Sequence, residues 1–118
     1  MSKASFINQL SIPVIAAPMF LISGPQLVIE CCKNEIVCTF PALNQRTSEG
    51  FEAWFIEIKA ALLEHEKNTG NKPAPFGVNL IVHKSNPRLE ADLAICVKHK
   101  IPLIITSLGA VSELVNTV

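Results

Sequence analysis

Four short, nearly unbroken apolar runs constrain this chain more than any other feature: residues 14–17, 36–40, 76–82 and 103–106. A strand with one solvated face alternates apolar and polar residues. Strands of a parallel sheet, covered on both faces, read instead as continuous runs rich in Val, Ile and Leu. Helical patterns fill the intervals. Ser23-Gly24-Pro25 supplies a start for the first, which carries Leu27, Val28, Cys31 and Cys32 before Asn34 stops it. In the second, Phe51, Trp54, Phe55, Ile58 and Leu62 fall on one face, with Glu52, Glu57, Lys59, Glu64 and Lys67 on the other. The segment from Asn68 to Pro73 ends it. The third is expected to be capped by Asn86, with Pro87 at its first position and a stripe of Leu89, Leu93 and Val97. A fourth begins near Gly109 and carries Val111, Leu114 and Val115.

The chain therefore reads as an α/β protein, β-α repeated four times at a mean spacing of about 30 residues. Eight such units need roughly 240 residues, near the ~250 of a (β/α)8 barrel. Composition bears on the choice between half a barrel and a complete small sheet. The 118 residues are 49% hydrophobic and only 17% charged, with mean hydropathy +0.37. Typical domains carry roughly 25% charged residues, and a small globule needs much polar cover. The apolar excess favours a piece built to be covered by more protein, expected to stop in mid-element at Val118. A complete open sheet would normally bind its ligand at the first strand-helix turn. That turn, from Ala17 to Gly24, is neither G-x-G-x-x-G nor a P-loop, so it offers no dinucleotide or nucleotide site of those kinds.

Several function classes fall away. The longest stretch without a strongly polar residue, 12–22, is far short of the ~20 residues that span a bilayer, and Pro13 and Pro18 interrupt it. The same prolines make it a poor secretory leader. Net charge is zero and pI about 6.8, which argues for no nucleic-acid or anionic-membrane partner. Asp92 is the sole aspartate, so mechanisms needing paired aspartates, a phospho-receiver included, are out. Cys31, Cys32, Cys38 and Cys96 have no zinc-type spacing and read as small buried hydrophobes of a reducing, cytoplasmic compartment.

In α/β architectures the chemistry lies at the carboxyl ends of the strands. Here those ends are Pro18-Met19, Phe40-Pro41, Asn79 with His83 beyond it, and Thr106-Ser107. This rim is apolar with a few neutral hydrogen-bonding groups, which suits a flat, largely apolar cofactor. Asn79 interrupts an apolar strand, where a buried amide must find partners in the backbone or in a ligand. Gly77 beside it permits close approach or marks a strand bend. His65 and His99 are expected at the surface, and His83 in a loop near the mouth.

The run Ile12-Pro13-Val14-Ile15-Ala16-Ala17-Pro18-Met19, followed by Phe76-Gly77-Val78-Asn79-Leu80, resembles the nitronate monooxygenase family, formerly 2-nitropropane dioxygenases. Phe40-Pro41-Ala42-Leu43-Asn44 and Thr106-Ser107-Leu108-Gly109 also look like strand ends of that family. The resemblance covers nearly all of this chain and about the first third of a family member. It implies the first four β/α units of an FMN-type TIM barrel, with residues 1–118 as the amino-terminal half of one domain. It implies that Ala17, Pro18 and Met19 pack against the flavin, that Asn79 hydrogen-bonds it, and that Thr106 and Ser107 line the same face. The family's catalytic His belongs to a Gly-His motif after the sixth strand, so no residue here is expected to be catalytic and no metal is implied. The implied reaction takes an alkyl nitronate and O2 to a carbonyl compound and nitrite. A flavin-dependent enoyl-acyl-carrier reductase has the same barrel and a similar opening. The non-enzymatic alternative is a half barrel whose copies associate to cover their open edges and bind a ligand or partner.

Overall fold

The computed structural model describes Phe6, residues 8–109, Ser112 and Asn116. The fourth helix expected after Gly109 lies outside the described residues. The elements run β1 (Ile15–Ala16), α1 (Pro25–Lys33), β2 (Val37–Pro41), a 3-10 turn (Ala42–Asn44), α2 (Ser48–Thr69), β3 (Phe76–Ile81), α3 (Leu89–Lys98) and β4 (Leu103–Ser107). The four strands form one all-parallel sheet in the order β1-β2-β3-β4. Chain order and spatial order coincide, so successive right-handed crossovers all return on the same side. The result is one face covered by α1, α2 and α3 and an opposite face on which none of these three helices lies.

The register assigns residues to those faces. Cys38 pairs with Phe76, and Phe40 with Val78 and through it Ile104. These side chains join Val28 and Cys32 of α1, Phe51, Phe55, Ile58 and Leu62 of α2, and Cys96 of α3 in the core. Phe40 sits at its aromatic centre, with ring centroids 5.9 Å from Phe51 and 6.0 Å from Trp54. On the opposite face lie the rows Thr39-Gly77-Leu103 and Pro41-Asn79-Ile105, followed by Ile81-Ser107. Val37, Thr39 and Asn79 are buried there, while β4 is half-buried throughout and Val14 and Ile15 are exposed. Strand interiors are thus covered and strand edges are not.

Local chemistry accounts for most element boundaries. Strand β1 is shorter than its apolar run because prolines 13 and 18 remove backbone donors on either side. Thr47 caps α2 by accepting from the Gly50 N–H at 3.0 Å, and Gly70 closes it in the left-handed conformation at φ 75°. The start of α3 differs from expectation. Asn86 accepts from the Arg88 N–H at 3.1 Å, but the helix begins only at Leu89, with Arg88 rather than Asn86 in the capping position. Its buried residues are Asp92 and Cys96, whereas Val97 is exposed. The stripe is rotated so that Asp92 turns inward, where Ser48 and Arg88 meet its carboxylate. Neither His65 nor His99 is fully exposed. His99 stacks on Phe55 at 4.9 Å and hydrogen-bonds Glu52 at 2.8 Å. Hydrogen bonds from Lys98 and then His99 hold the Glu52 carboxyl below the usual carboxylate range.

Gly77 is required by packing. A Cβ there would sit 3.0 Å from Cβ, Cγ and Cδ2 of Leu103 in the facing strand. Gly77→Ala is therefore expected to destabilise the protein by about 1–3 kcal/mol through overpacking. Urea unfolding should show a lower midpoint at unchanged slope. An unchanged midpoint would show that β4 yields freely.

Candidate functional site

The carboxyl ends of the strands carry the polar groups that the core does not absorb. Asn79, near the end of β3, is only 6% exposed. Its Nδ2 donates to the Ile105 carbonyl at 3.0 Å and to Ser107 Oγ at 2.7 Å. A carbonyl only accepts, so the Ile105 contact fixes which amide atom is nitrogen. Both amide hydrogens are committed, and Oδ1 has no donor among the described residues. Ser107 Oγ accepts from Asn79, and its own hydroxyl hydrogen has no acceptor among them either. The pair presents one acceptor and one donor side by side on the face opposite α1, α2 and α3.

The loop after β1 is built differently. Met19 donates its N–H to Ser23 Oγ at 2.8 Å, and its carbonyl accepts from the N–H groups of Ile22 and Ser23. Asn44, the last residue of the 3-10 turn after β2, reaches across to this loop. Its Nδ2 donates to the carbonyls of Met19 at 3.0 Å and Ser23 at 2.8 Å, and its Oδ1 accepts from the Leu21 N–H at 3.0 Å. Leu21 is held at φ 63°, a region a branched side chain rarely enters. Phe20, Leu21 and Ile22 are consequently presented to the outside, 68%, 77% and 69% exposed.

The 3-10 turn is itself gripped from the next unit. Arg88 donates from Nη1 to the Gln45 carbonyl at 2.5 Å and from Nη2 to the Ala42 carbonyl at 3.3 Å. Its charge is met by Asp92, 1% exposed, at 3.1–3.2 Å. Ser48 donates to Asp92 Oδ1 at 2.8 Å, which ties in the first residue of α2. Asp92 Oδ2 lies within ion-pair distance of Arg88 without a hydrogen bond, and Arg88 Nε is buried without an acceptor among the described residues.

The structure thus brings Asn79 and Ser107 together and separates Thr106 from them. Adjacent strand residues alternate faces, and Thr106 pairs with Leu80 on the helix-covered side. Ala17, Pro18 and Met19 lie at the end of β1, with Met19 committing its main-chain groups inside its own loop. It therefore offers a ligand its side chain and not a backbone donor. Thr39, unremarked in the sequence, is buried on the same face as Asn79 and donates to the Ala16 carbonyl at 2.8 Å. His83 lies in the loop after β3, where Nδ1 accepts from the Ser85 N–H at 3.1 Å and meets Ser85 Oγ at 2.7 Å.

An apolar cavity of about 430 Å³ opens at the opposite end of the sheet, between Leu62, Phe76 and Pro102. The charged groups on its wall, Lys59, Glu66 and Lys72, are all exposed, so no buried charged group among the described residues converges on it. Among the described residues no group of three or more His, Cys, Asp or Glu is placed to hold a metal ion, and no helix is long and apolar enough to cross a membrane. No family model matches the chain, and no curated protein matches it.

The cysteines stand apart from this rim. Burial pushes Cys32 up to about 11 and Cys38 and Cys96 up to about 12 from an ordinary 9.0. They stay protonated near neutrality, and a thiol is a weak nucleophile in that form. At pH 8 a disulfide reagent is expected to label half-exposed Cys31 and spare the other three until the protein unfolds. Rapid labelling of two or more thiols in the native state would contradict this burial.

Proposed function

We propose that this chain forms four of the eight β/α units of an FMN-binding barrel that oxidises alkyl nitronates. The observation that carries the reading is the Asn79 carboxamide. It is nearly buried, both its hydrogens are used within the fold, and its oxygen remains an unpartnered acceptor beside a free Ser107 hydroxyl hydrogen. That oxygen has no partner among the described residues and is not sealed from solvent, so a ligand donor can reach it without displacing a bond within the fold. The pyrimidine edge of a flavin, an imide N–H flanked by carbonyls, matches an acceptor and donor set side by side. The fit is thus with the residues themselves as well as with the sequence resemblance.

On this reading Asn79 and Ser107 hold the polar edge of the ring, and Pro18 and Met19 wall one side of it. Thr106 stands outside the set, on the helix-covered side. FMN, when bound, supplies the electron transfer by which a nitronate and O2 become a carbonyl compound and nitrite. The neutral, apolar rim excludes water from the ring and offers no charge to a substrate substituent. The sequential parallel order and single helix-covered face are what a barrel segment requires, whereas open doubly wound sheets reverse their strand order. Both edge strands, β1 and β4, are unpaired among the described residues. Such edges need cover, from four further units or from a second copy.

The protein expressed from its native reading frame is expected to retain FMN and to release nitrite from ethyl nitronate without added nicotinamide. Asn79→Ala should weaken FMN binding by about tenfold, the loss of one good hydrogen bond. A flavin-free protein that takes up no FMN would contradict the reading. A nicotinamide requirement would move it to the enoyl-acyl-carrier reductases.

A further inference from the structure

We infer that Asn44 is a positioning residue for the ligand-facing rim, setting the loop after β1 in the one conformation that completes the site. The inference rests on the flavin reading above and adds a residue that the reading does not contain. On that reading Asn44 does not touch the flavin itself. It acts through Met19, whose carbonyl it holds at 3.0 Å, and through Ser23 and Leu21, held at 2.8 and 3.0 Å.

Three features distinguish this contact from ordinary loop packing. First, every hydrogen-bonding atom of the carboxamide is used, two donors and one acceptor, and all three bonds go to main-chain atoms of one five-residue segment. The side chain therefore specifies a backbone path. Second, that path is unfavourable when left to itself. Leu21 stands at φ 63°, and three consecutive large apolar side chains face outward, which a free loop would not choose. A strained conformation persists only where its surroundings over-determine it, and such places cluster at ligand sites. Third, Asn44 is itself placed by a rigid support, since the Arg88 guanidinium holds the carbonyls of Ala42 and Gln45 on either side of it. A side chain locked at both ends transmits position accurately.

The consequence is a population argument. If the loop occupies its binding geometry for only a tenth of the time, apparent FMN affinity falls tenfold with no contact to the ligand lost. The chemistry of the carboxamide makes a sharp comparison available. Asn44→Ala removes all three bonds. Asn44→Asp keeps an acceptor for the Leu21 N–H but turns a carboxylate oxygen toward the carbonyls of Met19 and Ser23. Both variants should loosen the loop, and the near-isosteric Asp should not rescue the Ala.

The test uses the protein from its native reading frame and reads two quantities at a temperature where each variant is fully folded by circular dichroism. One is the initial rate of chymotrypsin cleavage after Phe20 or Leu21; the other is the dissociation constant for FMN. Expected are cleavage about tenfold faster and FMN binding about tenfold weaker in both variants. Wild-type FMN affinity in either variant overturns the inference, as does wild-type cleavage in both. A variant that melts below the measurement temperature is compared at a lower one, where the same two outcomes decide. A wild-type protein that binds no FMN overturns the flavin reading and this role with it. Failure of the role alone is distinct: wild type binds FMN and Asn44→Ala binds it equally well.

Discussion

The arrangement of the rim depends on one buried ion pair. Arg88 and Asp92 lie one helical turn apart at the start of α3, and Asp92 is almost wholly removed from water. Burying a carboxylate costs several kcal/mol unless it is paired and hydrogen-bonded, and removing one partner of such a pair typically costs about 3–5 kcal/mol. Here the guanidinium and the Ser48 hydroxyl meet the carboxylate, and Nη1 and Nη2 also reach the carbonyls of Gln45 and Ala42. The pair therefore does more than neutralise itself. It fixes the 3-10 turn after β2, the turn fixes Asn44, and Asn44 fixes the loop after β1. Three successive β/α units are joined at the carboxyl ends of their strands by side chains, independently of the sheet that joins them below.

That edge divides into two kinds of polar group. Around Asn44 every donor and acceptor of the carboxamide is used, and the product is shape. Around Asn79 the donors are used and an acceptor is left over among the described residues, which is the feature the proposed ligand contact draws on. The two amides sit at the ends of adjacent strands and look alike in sequence. Only the count of their hydrogen bonds separates a carboxamide that is fully used in shaping a loop from one that keeps an acceptor to spare. The flavin proposal draws on the second amide, and the positioning role on the first.

Much of the architecture was legible from hydropathy alone. The continuous apolar runs became parallel strands, and the helical stripe from Phe51 to Leu62 became the buried face of α2. Asn79 was legible because a polar residue inside an apolar strand must be satisfied. The inward turn of Asp92 was not, since its partner Ser48 lies 44 residues away and the stripe of Leu89, Leu93 and Val97 pointed elsewhere. The i, i+4 spacing of Arg88 and Asp92 was visible, but the same spacing marks many solvent-exposed pairs. Asn44 was hidden because its partners are main-chain atoms, which leave no trace in residue type. Thr106 and Ser107 are adjacent in the chain, but the pleat of β4 puts them on opposite faces, which residue type alone does not show.

The Arg88 side chain thus sets the conformation of a loop it does not touch. Amide hydrogen exchange in an Arg88→Met variant tests this most directly, with the Val78 amide in the core of β3 as the reference for global opening. The account predicts that the Leu21 amide, protected by Asn44, exchanges at least about tenfold faster relative to Val78 than in the wild type. An unchanged ratio would contradict it, because the loop would then hold its shape without the ion pair beneath it.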